Sequence, residues 1–520
     1  MAVLQKEGLK KPKKTLLTAI FSRAGLISLL LVAQIALVAL FFFRLPEYLP
    51  HYVTLKTALD VVFALYLFNS RHDASTKLTW LAVILTLPLF GGLLYAYTQS
   101  DLGHRLLMQR ITDEQRHSRK LLKQDPAVLE RAGKDAQALC GLQRYVMRTG
   151  CYPAYDHCRV RYFPLGDELF PELIAELEKA KKFIFLEFFI VEEGVFWNSV
   201  LDILRRKAAE GVDVRLLYDG TNEFFRLPRS YPKKLEAMGI RCRSFAPVHP
   251  FVSTHYNYRD HRKILVIDGR VALTGGINLA DEYINIGSRF GHWKDTAVLV
   301  YGKAVRSFTL MFLETWNITE REPTYPWLDV PVEEAEDAKG YVLPYADCPL
   351  DDERVGEMVY MDLLNRAERY VHIFSPYLIL DGEMETALCF AAARGVDVRL
   401  ILPGVPDKKL AWSLAKTHYR SLLEAGVKLY EYTPGFVHAK SFVVDDREAV
   451  VGTINLDYRS LYHHFECALY MNGCEAVQDV EEDFRQTQML CRAVTFNSLK
   501  NEKLSLKLLG FVMKSIAPLF

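Results

Sequence analysis

Hydrophobic positions follow two regimes along the chain. Over the first hundred residues they form long blocks. AGLISLLLVAQIALVALFFF (24–43) and LTWLAVILTLPLFGGLLYAY (78–97) are each twenty residues without a charge, the length that crosses a bilayer core as a helix. Between them, VTLKTALDVVFALYLF (53–68) is apolar except for Lys56 and Asp60, which are four apart and can pair on one helix face. The length of the first block and the lack of a small-residue cleavage site after Phe43 speak against a cleaved signal peptide. Beyond residue 140 the blocks give way to apolar runs of strand length alternating with helical periodicity. KFIFLEFFIV (182–191) is followed by the helical SVLDILRRKAAEG and then by VDVRLLYDG. YVHIFSPYLIL from Tyr370, METALCFAAARG and VDVRLILPG repeat that order. GVDVRL occurs in both copies, at 211–216 and 395–400, which marks an internal duplication. Such alternation predicts, for each unit, a mostly parallel sheet covered on both faces. Two related units then meet about a pseudo-twofold axis.

Charge places the membrane blocks but not their number. Lys6, Lys10, Lys11, Lys13, Lys14 and Arg23 precede the first block, a cytoplasmic pattern. Arg105, Arg110, Arg116, Arg119, Lys120 and Lys123 follow the last one and favour the same side. Two spans, with 53–68 lying in the interface, satisfy both ends, whereas three spans do not. Over the whole chain 64 Lys and Arg offset 63 Asp and Glu, a net charge of +1, so no bulk field draws it to nucleic acid. The nine cysteines include no zinc-like or redox-motif spacing and read as core thiols.

The chemistry lies in a repeated frame. HRKILVID carries His261, Lys263 and Asp268 and is followed by GGIN, ending at Asn278; HAKSFVVD carries His438, Lys440 and Asp445 and is followed by GTIN, ending at Asn455. All matched residues are offset by 177 positions. One His-x-Lys is weak evidence of function, but two in register are strong. Strand alternation projects His and Lys of each copy to one side. Facing copies thus gather two imidazoles, two ammoniums and two amides in one space, a setting for a phosphate. Lysines and asparagines hold phosphoryl oxygens and neutralise charge that builds in the transition state. One imidazole can attack phosphorus while the other protonates the departing alkoxide and then deprotonates the incoming alcohol. This needs neither metal nor cofactor. Asp268 and Asp445, at the turns DGR and DDR, are candidates for chemistry, for lysine orientation or for turn capping. A carboxylate should fix the tautomer of each histidine: Glu466 follows the second motif and Asp295 the first. His255, His372 and His418 read as ordinary structural histidines.

The duplicated H-x-K-x4-D frame with its trailing G-x-x-N resembles the phospholipase D superfamily over residues 145–497. EAGVKLYEYTPGFVHAKSFVVDD, VGTINLDYRSLYHHFE and KLTWLAVILTLPLFGGLLYAY resemble, more narrowly, bacterial cardiolipin synthases. The resemblance implies an α/β protein of two phospholipase D-like units in pseudo-twofold arrangement, preceded by N-terminal transmembrane helices. It implies a multi-pass protein of the bacterial cell membrane that converts two phosphatidylglycerol molecules to cardiolipin and glycerol, with His261 as nucleophile and His438 as acid and base. Gly276 departs from the family pattern, since many relatives have Ser or Thr there; a phosphate-facing hydroxyl then comes only from Thr453. The expected organisation is a membrane region (1–100) with two or three spans, a linker (101–144), unit one (145–318), a Pro-rich acidic linker (319–340), unit two (341–497) and an amphipathic tail (498–520).

Within this fold the rivals are a phospholipase D-type hydrolase and a nuclease. Charge balance and the apolar N-terminus count against the nuclease. A lipid-binding scaffold would need no second histidine. The tail LSLKLLGFVMKSIAPLF, with Lys507 and Lys514 among apolar residues, fits an interfacial helix or a buried terminal helix. Partners are thus phosphatidylglycerol and the bilayer, with oligomeric state left open.

Overall fold

The computed structural model describes residues 48–99, 105–150, 152–246, 258–318, 320, 323–351 and 353–519, with scattered positions between 32 and 45. The chain divides into an N-terminal unit that ends at Arg105 and a larger unit that begins at Leu106.

In the N-terminal unit, the expected span at 24–43 lies largely outside the described residues. The interrupted block at 53–68 falls within Leu49–Asn69, the one described helix long and apolar enough, by length and composition, to cross a membrane. Lys56 and Asp60 pair there at 2.8 Å, while Leu55, Val62, Leu65, Tyr66 and Phe68 are exposed. The block at 78–97, expected as one span, is instead divided between Ala74–Thr86 and Pro88–Gln99. The break at Leu87 has a direct cause: Pro88 lacks an N–H, and its ring disfavours helical backbone at the residue before it.

The larger unit holds both repeats. In the first sheet the strands lie side by side in the order Arg159–Phe163, Ala297–Tyr301, Val271–Gly275, Lys263–Ile267, Phe183–Phe188, Asp213–Asp219, Arg241–Phe245. The second sheet repeats this order with Tyr341–Asp347, His464–Asn472, Glu448–Gly452, Ser441–Val444, Tyr370–Phe374, Asp397–Pro403 and Lys428–Tyr432, then adds Cys491–Ala493. These sheets are mixed rather than mostly parallel. Between the strands of each ordered row, parallel pairing is confined to those joined by crossover helices, such as Phe183–Phe188 with Asp213–Asp219. The motif strands belong to hairpins and pair antiparallel, as Lys263–Ile267 does with Val271–Gly275. A turn as short as DGR reverses the chain, whereas parallel pairing needs a crossover.

The inner faces of the two sheets share one core. Phe185, Ile264, Val266 and Ala272 from one pack in the same cluster as Val371, Ile373, Val450 and Leu469 from the other, with the helix Val305–Asn317 in it. The outer face of the first sheet is covered by Gly166–Glu178 and Val195–Ala209 through Leu173, Leu177, Val200 and Leu204. The tail forms the helix Leu504–Ser515. It docks against Lys409–Glu424 so closely that a Cβ on Gly510 would lie 2.5 Å from the Ser413 carbonyl oxygen. Its other side leaves Leu504, Leu508, Phe511 and Val512 more than half exposed.

Candidate active site

The two halves exchange backbone at the site. Arg259–Asp260, just before His261, pairs parallel with the start of His464–Asn472, Arg259 opposite His464 and Asp260 opposite Phe465. Gly435–Val437, just before His438, pairs parallel with His292–Lys294. Continued by one residue, the first register sets His261 against Glu466 and the second sets His438 against Asp295. The backbone confirms both steps: His261 N–H donates to the Phe465 carbonyl at 2.9 Å and His438 N–H to the Lys294 carbonyl at 2.7 Å.

The side chains complete this crossed pairing. His261 Nδ1 lies 2.8 Å and 3.0 Å from the Glu466 carboxylate oxygens. His438 Nδ1 lies 2.6 Å from Asp295 Oδ2. The sequence had set each carboxylate beside the motif of its own half; each in fact serves the histidine of the other half. With the proton on Nδ1, hydrogen-bonded to carboxylate, the Nε2 lone pair of either imidazole is free for chemistry.

Lys263 and Lys440 are buried, and each ammonium donates to the carbonyl of its own motif histidine. Lys440 Nζ is also 2.7 Å from His438 Nδ1. Burial lowers Lys263 to about 8, opposed by the charges of Glu466 and Asp295. Burial also lowers Lys440 to about 7, with Lys263 as a further cation acting against it. His438 falls to about 4 through burial and the Lys440 charge. His261 is held well below its ordinary value by burial, then by Lys263, His464, Lys440 and His438. The groups of both motifs therefore act on one another across one space. The same desolvation pushes the Glu466 carboxyl up, so a buried imidazole and carboxyl compete for one proton. Only the arrangement with that proton on His261 Nδ1 leaves a nucleophile.

Other expected site residues take different places. Asp268 and Asp445 do not reach the chemistry. They stand at the far ends of the motif strands, five residues beyond the lysines, or about 16 Å of extended chain. Each adopts left-handed backbone, φ 55° and 54°. Asp268 accepts from the N–H groups of Lys181, Lys182 and Phe183, and Asp445 from those of Glu368, Arg369 and Tyr370. They clamp the start of the neighbouring strand, the capping role among the three the sequence left open, in place of the catalytic one. Thr453 is corrected as well: its hydroxyl donates to Glu466 and accepts from Cys467 N–H at 3.0 Å, so it braces the orienting carboxylate rather than facing a phosphate. The glycine opposite it in the repeat has the complementary cause. A Cβ on Gly276 would lie 1.9 Å from Asp295 Oδ1, so this half has a shorter carboxylate and no side chain beneath it.

Asn278 is buried, its carbonyl taking the Ile190 N–H at 2.9 Å and its amide donating to Tyr283 at 2.8 Å; one amide hydrogen is left over. Asn455 reaches Asp457 only at 3.5 Å, and its Oδ1 has no partner among the described residues. His372 and His418 pair with Glu481 and Glu385, His372 from the strand beside the second motif, opposite Val443, and His255 lies outside the described residues. Sequence reasoning missed the aromatic walls. Phe189 lies 5.0 Å from the His261 ring, and Tyr283 and Trp293 lie 5.3 Å and 5.4 Å from the His438 ring. It also missed His464, two residues before Glu466 and therefore on the same side of its strand, with its ring 5.2 Å from that of His261.

Two histidines on facing repeats, each backed by a carboxylate and flanked by a lysine, define a phospholipase D-like phosphodiester enzyme. Comparison with known proteins narrows this. A family model described as cardiolipin synthase, phospholipase D-like domain, matches residues 173–309 and 360–488, and one for a phospholipase D-nuclease N-terminal region matches 58–97. The chain is 35% identical over 83% of its length to a cardiolipin synthase of Geobacillus kaustophilus, covering 87% of that protein. It is 33% identical over 89% of its length to one of Alkalihalophilus pseudofirmus, covering 92% of that protein. An uncharacterized protein of Streptococcus mutans is 52% identical over 88% of the chain and 99% of its own length. Among solved structures, phosphatidylserine synthase of Haemophilus influenzae matches with a TM-score of 0.54 at 15% identity, over 69% of this chain and 93% of that one, a likeness of fold. The chain belongs to the cardiolipin synthase family of the phospholipase D superfamily and is a phospholipid phosphatidyltransferase.

Proposed function

We propose that the protein transfers a phosphatidyl group from one phosphatidylglycerol to the glycerol headgroup of another, yielding cardiolipin and free glycerol, by way of a covalent phosphohistidine. The observation that carries this reading is the crossed pairing, His261 with Glu466 and His438 with Asp295. It gives two equally prepared imidazoles from opposite halves, as a double displacement requires.

His261 Nε2 attacks phosphorus as His438, which takes up a second proton on Nε2 when the anionic phosphodiester enters beside it, gives that proton to the departing glycerol oxygen. The P–O bond to glycerol breaks and an N–P bond forms. The positive charge arising on the His261 ring lies against Glu466, while Lys263, Lys440, Asn278 and Asn455 hold the phosphoryl oxygens. Glycerol leaves. A hydroxyl of the second lipid then gives its proton to His438, attacks phosphorus and releases His261. Asp295 holds the His438 proton on Nδ1 throughout, so that only Nε2 exchanges protons. The choice of His261 as nucleophile follows the family resemblance, since the two halves prepare their histidines alike. The apolar helix Leu49–Asn69 supports a site in the cell membrane, where the lipid tails remain in the bilayer; further spans belong to the same proposal.

The test is incubation of the purified protein in phosphatidylglycerol vesicles or mixed micelles with no other alcohol. Cardiolipin and glycerol in equal amounts support the reading. Phosphatidic acid as the only lipid product overturns it in favour of hydrolysis.

A further inference from the structure

His464 is a third imidazole in the site, and the mechanism above does not use it. It is buried, and neither ring nitrogen has a hydrogen-bond partner among the described residues. A buried polar group left this way is costly unless it meets a ligand. Its Nδ1 stands 3.4 Å from Glu466 Oε1, the oxygen that lies 2.8 Å from His261 Nδ1. One nitrogen each from His261 and His464 and one oxygen from Glu466 lie within 4.8 Å of one another.

From this arrangement we infer that His261, His464 and Glu466 form a binding site for a zinc-like transition ion, and that its occupancy shuts the enzyme off. The spacing suits the ion. Bonds of about 2.0–2.2 Å in a tetrahedron place neighbouring donor atoms about 3.3–3.6 Å apart. The two imidazole-to-carboxylate separations, 2.8 Å and 3.4 Å, lie near this value, and the two imidazole nitrogens, within 4.8 Å of each other, close on the ion as it binds. Two imidazoles and one carboxylate leave a fourth position for water or a phosphoryl oxygen. The donor set and surroundings also set the selectivity. Lys263 and Lys440 oppose any cation held by charge alone, which disfavours Mg²⁺ and Ca²⁺. Zn²⁺, Co²⁺ and Ni²⁺ gain from the two imidazole nitrogens.

Inhibition follows from the tautomer. An ion on His261 Nδ1 displaces the proton that Glu466 holds there, so the neutral ring must carry its hydrogen on Nε2. The lone pair needed to attack phosphorus is then gone. No bond to substrate forms or breaks, and removal of the ion restores the Nδ1–H form.

The binding arm is independent of which phosphodiester is the substrate; the inhibition arm rests on the proposed nucleophile. The experiment therefore reads both, using the full-length protein in detergent micelles. Co²⁺ is titrated first, with visible absorption and bound-metal analysis as readouts. The expected spectrum is that of tetrahedral nitrogen and oxygen ligation at one equivalent, without the intense near-ultraviolet bands of thiolate ligation. In the His464→Asn protein affinity should fall by about 100-fold. Zn²⁺ is then titrated into turnover of phosphatidylglycerol and, separately, of an aryl phosphodiester, with EDTA reversing the inhibition. In the His464→Asn protein the half-inhibitory concentration should rise by the same factor. If that variant turns over too slowly to assay, its Co²⁺ spectrum decides alone. Unchanged Co²⁺ binding in His464→Asn, thiolate-type bands, or no bound ion in the wild type would overturn the site. Ion binding without inhibition of either substrate would overturn the shut-off.

Discussion

Exchanging the carboxylates one at a time separates the two histidines, because each is governed from the opposite half. Take Glu466→Gln. In the first step a full positive charge develops on the His261 ring, whose Nδ1 is 2.8 Å from Glu466 Oε1. Two unit charges about 4 Å apart attract by about 4 kcal/mol at an effective dielectric constant near 20, and each 1.36 kcal/mol is about tenfold in rate. Loss of that charge should slow formation of the phosphohistidine by about a thousandfold. The amide fits, since Thr453 can turn its hydroxyl to face either end of it, so folding should be kept. The assay is rapid mixing with an aryl phosphodiester, whose leaving group needs no proton, followed by mass spectrometry of the His261 peptide. Glu466→Gln should suppress labelling itself. Asp295→Asn should leave labelling nearly intact and slow release to the acceptor alcohol, so that the adduct accumulates. Labelling of Glu466→Gln at the wild-type rate, or suppression by Asp295→Asn alone, would refute the assignment of nucleophile and of its partner.

Asp268→Ala and Asp445→Ala each strip acceptors from three backbone N–H groups and should cost about 2–3 kcal/mol of stability in denaturant titration, while activity per folded molecule stays near normal; a stable protein with lost turnover would contradict the clamp. Gly276→Ser must displace Asp295 and should lower transfer by about 100-fold, whereas wild-type turnover would show that the contact yields freely. Because Lys440 and Lys263 titrate at about 7 and about 8 and hold phosphate only as ammoniums, kcat/KM should decline as pH rises through that range, with the pair giving joint apparent values. Stability should move the other way, rising from about pH 7 toward the ordinary lysine range because the unfolded lysines keep their protons longer, and kcat/KM still rising at pH 9 would sink this account. Leu508→Asp with Phe511→Asp should reduce turnover on phosphatidylglycerol vesicles but not on a dispersed short-chain substrate, since the exposed face of the tail helix fits a lipid surface; equal loss on both substrates would speak against such docking.

How much of this could be read from the chain depends on the distance over which each residue acts. The repeated frame was visible because its parts lie within one hairpin: alternation along a strand fixes where His261 and Lys263 point relative to each other. The same locality misled in two places. Asp268 and Asp445 repeat as faithfully as the histidines, yet repetition records any shared demand, and here the demand is three backbone N–H groups at a left-handed turn. Hydropathy likewise ranked 78–97 above 53–68, since composition sees the Lys56–Asp60 pair as two charges and not as one neutralised contact, and sees Pro88 as merely apolar.

The crossed pairing was beyond a reading made unit by unit, because it depends on two parallel bridges between segments more than a hundred residues apart. Those bridges also account for the one difference between the copies that touches chemistry. A glutamate reaching across to His261 is long enough to be held from below by the Thr453 hydroxyl. An aspartate reaching across to His438 leaves no room for any side chain at position 276. The glycine at position 276 and the unequal carboxylates are therefore one adaptation seen from two positions, and changing either alone should be worse than changing both. Gly276→Ser combined with Asp295→Glu should recover part of the transfer lost in Gly276→Ser, since the longer side chain can place its carboxylate above the new hydroxyl as Glu466 does above Thr453. A double variant that is slower than either single one would show that the halves are not interchangeable at this level, and that the Asp295 side is shaped by its acid and base role as well as by packing.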